Sequence, residues 1–230
     1  AKAGGKITIN GGTFDKTAKS WLMGADTGKN ITFVINGGTF RGYVNKPEMT
    51  VDTFRPYGDP IVVCGGNFNF NPTKFVAEGY AVIEKDNAYT VIPTVLTDGY
   101  VLDLGGAKYD GAITVEGNVT IKGDTKIKTL KSTTGCTITI EDGKTLTLNN
   151  FSFGAKDNAD AEYEIKGGTV TANYGFFQHG KYELYSDFET GYMYYSYGSD
   201  ITVYGRFHSQ GKGDGLDYVR GKLTIANGGK

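Results

Sequence analysis

The chain has 230 residues, with 24 Lys+Arg against 25 Asp+Glu, so it exerts no long-range pull on nucleic acid or on an anionic membrane. No apolar run approaches the roughly 20 residues that cross a bilayer, which argues against membrane insertion. The 35 glycines, scattered among 16 Tyr and 13 Phe with only 5 Pro, point to many turns between short strands.

The chain opens on a repeat. Residues 7–14 read ITINGGTF, 33–40 read FVINGGTF and 61–68 read IVVCGGNF, at offsets of 26 and then 28, and a weaker copy, YEIKGGTV, stands at 163–170. Ile7, Phe33, Ile61 and Tyr163 share one position. Ile9, Ile35, Val63 and Ile165 share the position two later, with Thr8, Val34, Val62 and Glu164 between them. That alternation puts the first two sets on one strand face and the third on the other. The glycine pair permits a turn with positive φ, after which Phe14, Phe40 and Phe68 point back inward. A strand this short cannot bury its apolar face alone, whereas stacked equivalent turns bury it continuously, so each copy predicts one rung of a parallel β-helix. Asn10 and Asn36 hold equivalent turn positions. They read either as an asparagine ladder between rungs or as ordinary Asn-Gly turn chemistry, with Cys64 in the third place. Trp21 lies in the loop between the first two rungs, where it packs over the coil or contacts a ligand.

After the third rung, Asn71-Pro72-Thr73 predicts one helical turn running to Glu78, with Pro at the first helical position. YAVIE and AYTVI, joined by KDNA, predict a hairpin. An uncovered last rung would expose apolar interior and unpaired edges, so 70–92 reads as a cap and 94–97 as a junction. The expected organisation is two consecutive modules, 1–93 and 94–230. The chain begins on a strand and closes on KLTIANGGK, the opening of another repeat-like unit, so it reads as a fragment of a longer protein.

The GGTF rungs, followed by the NPTKFVAEGY stretch and then YTV, resemble a pattern in large secreted or surface-displayed proteins of gut bacteria and their phages. The resemblance covers about residues 1–92. It implies a right-handed parallel β-helix and an extracellular, modular protein, and it carries over no catalytic residue.

The second half repeats the theme on a shorter beat, through ITVEGNVTIKGD at 113–124, TITIEDGKTLTL at 137–148 and KLTI at 222–225. Gaps such as Asp142-Gly143 also suit β-hairpins, which keeps an antiparallel β-sandwich as the alternative for this half. Lys122, Lys126, Lys128 and Lys131 read as a solvated face that blunts a sheet edge. Cys64 and Cys136 read as two buried apolar side chains or as a disulfide.

Two stretches are candidates for function. In 174–207, 12 of 34 residues are aromatic, and Tyr192, Tyr194, Tyr195 and Tyr197 crowd together. In a strand, Tyr192 and Tyr194 share one face and Tyr195 and Tyr197 the other. Both faces of a single-layer coil cannot be core, so some rings reach solvent. Exposed Tyr beside polar side chains suits a pyranose face or a protein contact, and the competing reading is aromatic stacking within the coil. In 208–221, Asp214 and Asp217, with His208 and Arg220, could perform acid–base work on a glycosidic bond. DGLDYVRG faintly resembles the DGID stretch of polygalacturonase-like β-helix hydrolases, but the additional Asp pair is missing and no glycine precedes His179-Gly180. His179 and His208 lie 29 apart and could stack on neighbouring coils, which makes no metal site without a third ligand. There is no phosphate loop, no GxSxG elbow and no sign of a cofactor.

The expectation is therefore an all-β, right-handed parallel β-helix. Its expected role is a non-catalytic recognition module at the cell surface, with Tyr192, Tyr194, Tyr195, Tyr197 and Trp21 meeting a carbohydrate or a host surface protein. A polysaccharide hydrolase or lyase using Asp214, Asp217, His208 and Arg220 is the rival, and a passive stalk is the third reading.

Overall fold

The computed structural model describes residues 4–15, 23–24, 31–42, 54–55, 61–195, 198–210 and 221–230. Trp21, Tyr197, Asp214, Asp217 and Arg220 lie outside the described residues, as does the side chain of Tyr195. The chain forms two compact units, 1–94 and 95–230.

In the first unit the strands are β1 (Lys6–Ile9), β2 (Thr13–Asp15), β3 (Met23–Gly24), β4 (Thr32–Ile35), β5 (Thr39–Arg41), β6 (Phe54–Arg55), β7 (Ile61–Val63), β8 (Gly66–Phe68), β9 (Tyr80–Lys85) and β10 (Ala88–Pro93). β1, β4 and β7 pair in parallel, and so do β2, β5 and β8. Ile7, Phe33 and Ile61 stand in one column, as the repeat requires. Ile35, Phe40, Val63 and Phe68 are buried, and the Phe14, Phe40 and Phe68 rings stack at 4.9 and 5.0 Å.

The two glycines of each rung serve different ends. The second takes positive φ, +101°, +115° and +112° at Gly12, Gly38 and Gly66. The first does not; in the second and third rungs it is needed because the preceding rung passes too close, whereas nothing crowds Gly11. A β-carbon on Gly37 would sit 2.9 Å from the Asn10 carbonyl oxygen, and one on Gly65 would run into that of Asn36. Both readings of the asparagines hold together: they sit in the turn, and the Asn36 amide donates to Asn10 Oδ1 at 2.9 Å.

Parallel stacking stops at β8. The β9–β10 hairpin docks antiparallel on it, Tyr89 opposite Phe68 and Val91 opposite Gly66. The hairpin turn is tighter than KDNA: only Asp86 and Asn87 lie outside the strands, at φ of +51° and +60°, as a two-residue primed turn demands. The helical turn is also shorter than its signals indicated, a single 3₁₀ turn at Thr73–Phe75 with Pro72 before its first residue. Asn71 Oδ1 accepts the Thr73 N–H at 2.9 Å, an Asx turn that leads into it.

The second unit continues with β11 (Val95–Leu96), β12 (Val101–Asp103), β13 (Lys108–Val115), β14 (Val119–Lys122), β15 (Thr125–Ser132), β16 (Cys136–Ile140), β17 (Thr145–Phe153), β18 (Glu162–Lys166), β19 (Thr169–Phe177), β20 (Gly180–Leu184), β21 (Asp187–Tyr195), β22 (Ser199–Val203), β23 (Phe207–Ser209) and β24 (Lys222–Ile225). Odd-numbered strands form one seven-stranded sheet and even-numbered strands another, in chain order, with every pairing parallel. The chain therefore coils as a β-solenoid, a parallel β-helix, and the antiparallel sandwich is excluded for this half. Asp142-Gly143 closes no hairpin, because β16 and β17 belong to different sheets. β15 lies between β13 and β17, so its lysines blunt no sheet edge. Cys64 and Cys136 are free thiols, one in each unit.

The long odd-numbered strands turn a corner. Along β17 the buried positions are Leu146 and Leu148, then Phe151 and Phe153. The alternation slips by one residue between the two pairs, so both legs can bury toward the same core only if the backbone changes direction between them. β15, β19 and β21 slip at the same place, which puts Lys128, Asn149, Asn173 and Gly191 at the corner of four successive rungs. Inside, Phe151, Phe153, Tyr163, Phe177, Tyr182 and Phe188 pack as a continuous aromatic core.

Candidate functional site

The aromatic stretch 174–207 divides by strand parity. Phe177, Tyr182 and Phe188 point inward and are fully buried. Tyr174, Phe176, Tyr192 and Tyr194 take outward positions on the second leg of β19 and β21. There they form a four-ring patch. Tyr174 and Tyr192 stack at 5.3 Å, Phe176 and Tyr194 at 4.9 Å, and Tyr174 lies 6.4 Å from Phe176. The Tyr194 side chain is 40% exposed and the other three rings are half-buried. Tyr192 and Tyr194 thus share one face, and the Tyr195 backbone pairs in register with Phe177.

Rings stacked across rungs cover each other's faces, so what lies beyond each stack decides whether a face is open. On one side Tyr174 follows Asn150 and Thr129 in its column, and Phe176 follows Ser152 and Lys131. Large rings therefore give way to short polar side chains, and the outer faces of Tyr174 and Phe176 look over a polar shelf. On the other side β23 pairs only with residues 188–190, and among the described residues no strand follows Tyr192 and Tyr194.

Beside this patch runs a polar groove. One part, about 500 Å³, is lined by Lys108, Asp110, Lys126, Lys128, Thr147 and Asn149; a second, about 190 Å³, by Thr171, Glu189, Gly191 and Gln210. The two share Thr147, Leu148 and Asn173, which joins them. The lining is a ladder of equivalent residues. Asn173 donates to Asn149 Oδ1 at 2.9 Å, and the Thr171 and Thr147 hydroxyls meet at 3.3 Å. The groove follows the strand-stacking direction past β13, β15, β17, β19, β21 and Gln210, roughly 24 Å at the usual spacing of paired strands. No described ring lines the groove itself, but the four rings stand on the next leg of the same strands, past the corner at Asn173 and Gly191. Together groove and rings supply what an extended sugar chain needs: apolar faces for the ring carbons and donors and acceptors for the hydroxyls.

Another pair of tyrosines stacks outside the other sheet. Tyr185 and Tyr204 follow β20 and β22, with ring centroids 4.4 Å apart. Desolvation, then the Glu183 carboxylate that accepts its hydrogen bond at 3.1 Å, pushes the Tyr185 hydroxyl up to about 12.

The two histidines are not neighbours. His208 sits exposed on β23 opposite Glu189, whereas His179 is in the turn before β20, on the other sheet, at φ +43°. Among the described residues no group of three His, Cys, Asp or Glu could hold a metal ion. No described helix is long and apolar enough to cross a membrane.

The corner residues Asn149 and Asn173 escaped the sequence reading, although a signal was present. TLTLNNFSF and TVTANYGFF break their alternation at a polar pair, and the break occurs at the same point in consecutive rungs. No protein-family model, no curated protein and no solved structure matches this chain.

Proposed function

We propose that the second unit is a glycan-recognition module of a surface-displayed protein, and that the outer face of β17, β19 and β21 is its binding face. The observation that carries this reading is the four-ring patch of Tyr174, Phe176, Tyr192 and Tyr194 standing beside a groove of stacked Thr and Asn side chains. The core already holds its own six rings, so these four outward rings are not needed to fill it, and a clustered apolar patch at the surface favours a contact. A parallel β-helix suits the role, since each rung repeats the same side-chain position and a repeating ligand can meet equivalent groups on successive rungs. The extracellular setting rests on the rung resemblance and on the repeat architecture.

The test is size-exclusion chromatography with light scattering against a panel of host and plant polysaccharides, with the wild type and a Tyr192→Ala/Tyr194→Ala variant. Co-elution of the wild type, lost in the variant while its melting temperature holds, is the expected result. Co-elution that survives in the variant contradicts the assigned face. Shortening of the polysaccharide over hours would instead favour the hydrolase reading and direct mutation to Asp214 and Asp217.

A further inference from the structure

Building on the glycan reading, we infer that the groove selects an acidic glycan and holds its anionic group at the end formed by Lys126 and Lys128. The charge around the groove is uneven. Along the outer column of the first leg, successive rungs read Lys108, Lys126, Thr147, Thr171, Glu189 and His208. The acidic end is already answered: Arg206 lies 2.5 Å from Glu189 and 3.7 Å from Asp187. The basic end is not. Lys108 pairs with Asp110 at 2.6 Å, but among the described residues Lys126 and Lys128 have no carboxylate partner. Elsewhere the outer faces match charge with charge across rungs, as in Lys181 with Glu162 and Lys222 with Asp200.

Lys126 is also in direct register with Lys108 on the neighbouring strand. Like charges directly opposite each other destabilise a sheet; Asp110 answers Lys108, and an anion beside Lys126 and Lys128 would answer the two that remain. Both lysines line the larger part of the groove, with Thr147 and Asn149 next along it. A carboxylate or sulfate held there would place the following sugar units over the threonines and asparagines and beside Tyr174 and Phe176. The uneven charge would thus fix the direction in which the chain lies, as well as its class.

The probes are alginate oligosaccharides, the same oligosaccharides after carboxyl reduction, sulfated dextran and single-stranded poly(dT), titrated calorimetrically at low and high salt. The expected result is roughly tenfold weaker binding of the reduced oligosaccharides than of alginate, the order of effect that two charge contacts across an interface can give. The preference should shrink with salt. Lys126→Gln/Lys128→Gln should remove it, whereas the surface control Lys156→Gln should not. Tighter binding of sulfated dextran than of alginate would identify sulfate as the anion and keep the inference. Equal affinity for alginate and its reduced form overturns the inference and leaves the glycan reading standing. Unchanged alginate binding in the double lysine variant overturns it too. Poly(dT) binding as tightly as any glycan overturns the choice of ligand class, and no binding of any glycan overturns both readings.

Discussion

The two units solve the same problem under different constraints. In the first, each rung turns on a second glycine at positive φ, and from the second rung on the leading glycine clears the backbone of the preceding rung. The octapeptide therefore repeats almost unchanged. In the second, the fourth copy turns differently, with both Gly167 and Gly168 at positive φ, +65° and +33°. Its odd-numbered strands are longer and bend at a corner. Glycines meet neighbouring backbones there as well, Gly154 against the Gln178 carbonyl and Gly167 against that of Ile140, so the difference lies in the outward strand positions, which diverge into rings, amides and charges. The lesson is that close backbone approach is common to both units, and that divergence of the outward side chains within a solenoid marks where a surface can specialise.

The largest effect that could break this comparison lies in the core of the second unit. Phe151 is fully buried against Phe153, Phe177 and Phe188. Phe151→Ala should cost about 3–5 kcal/mol, read by chemical denaturation, with hydrogen-exchange protection falling in residues 95–230. Next comes Gly65→Ala, which drives a β-carbon into the Asn36 carbonyl; a loss of about 2–3 kcal/mol is expected, with protection falling in the first unit. Gly143→Ala is the matched contrast, because nothing lies near its β-carbon and its cost is the positive φ alone, about 1 kcal/mol. If Gly65→Ala proves as mild as Gly143→Ala, close packing does not explain the strict repeat. Smaller still is Asn36→Ala, which removes the rung-to-rung amide bond to Asn10 at an exposed site and should cost about 0.5–1 kcal/mol.

The thiols sharpen the comparison without altering stability. Burial pushes the Cys136 thiol up to about 11, with the Ser132 hydroxyl pulling the other way. Its thiolate is therefore scarce until pH rises toward that value, and it should resist alkylation at pH 8 until the second unit unfolds. Rapid labelling of Cys136 in the native state would show that its rung opens readily.

Much of this architecture was legible because rungs announce themselves twice, through alternation and through Gly-Gly. The β9–β10 hairpin was legible from its flanking strands, and its turn came out tighter because Asp86 and Asn87 both accept positive φ. Strand parity alone placed Tyr192 and Tyr194 together. The groove was not legible. Lys126 and Lys128 look like an ordinary solvated stretch until Thr147, Asn149 and Asn173 are seen beside them, and those residues come from rungs more than 20 positions away. Register between rungs depends on loop lengths, which vary from turn to turn, so sequence distance does not report which outward residues meet.

The most direct test of the central claim is a titration followed by NMR of ring-labelled tyrosines, using whichever polysaccharide co-elutes. Shifts at Tyr174, Tyr192 and Tyr194, with Tyr163 and Tyr182 unmoved, are the predicted result. Shifts confined to Tyr185 and Tyr204, or reaching the buried pair while the outer patch stays still, would contradict the account.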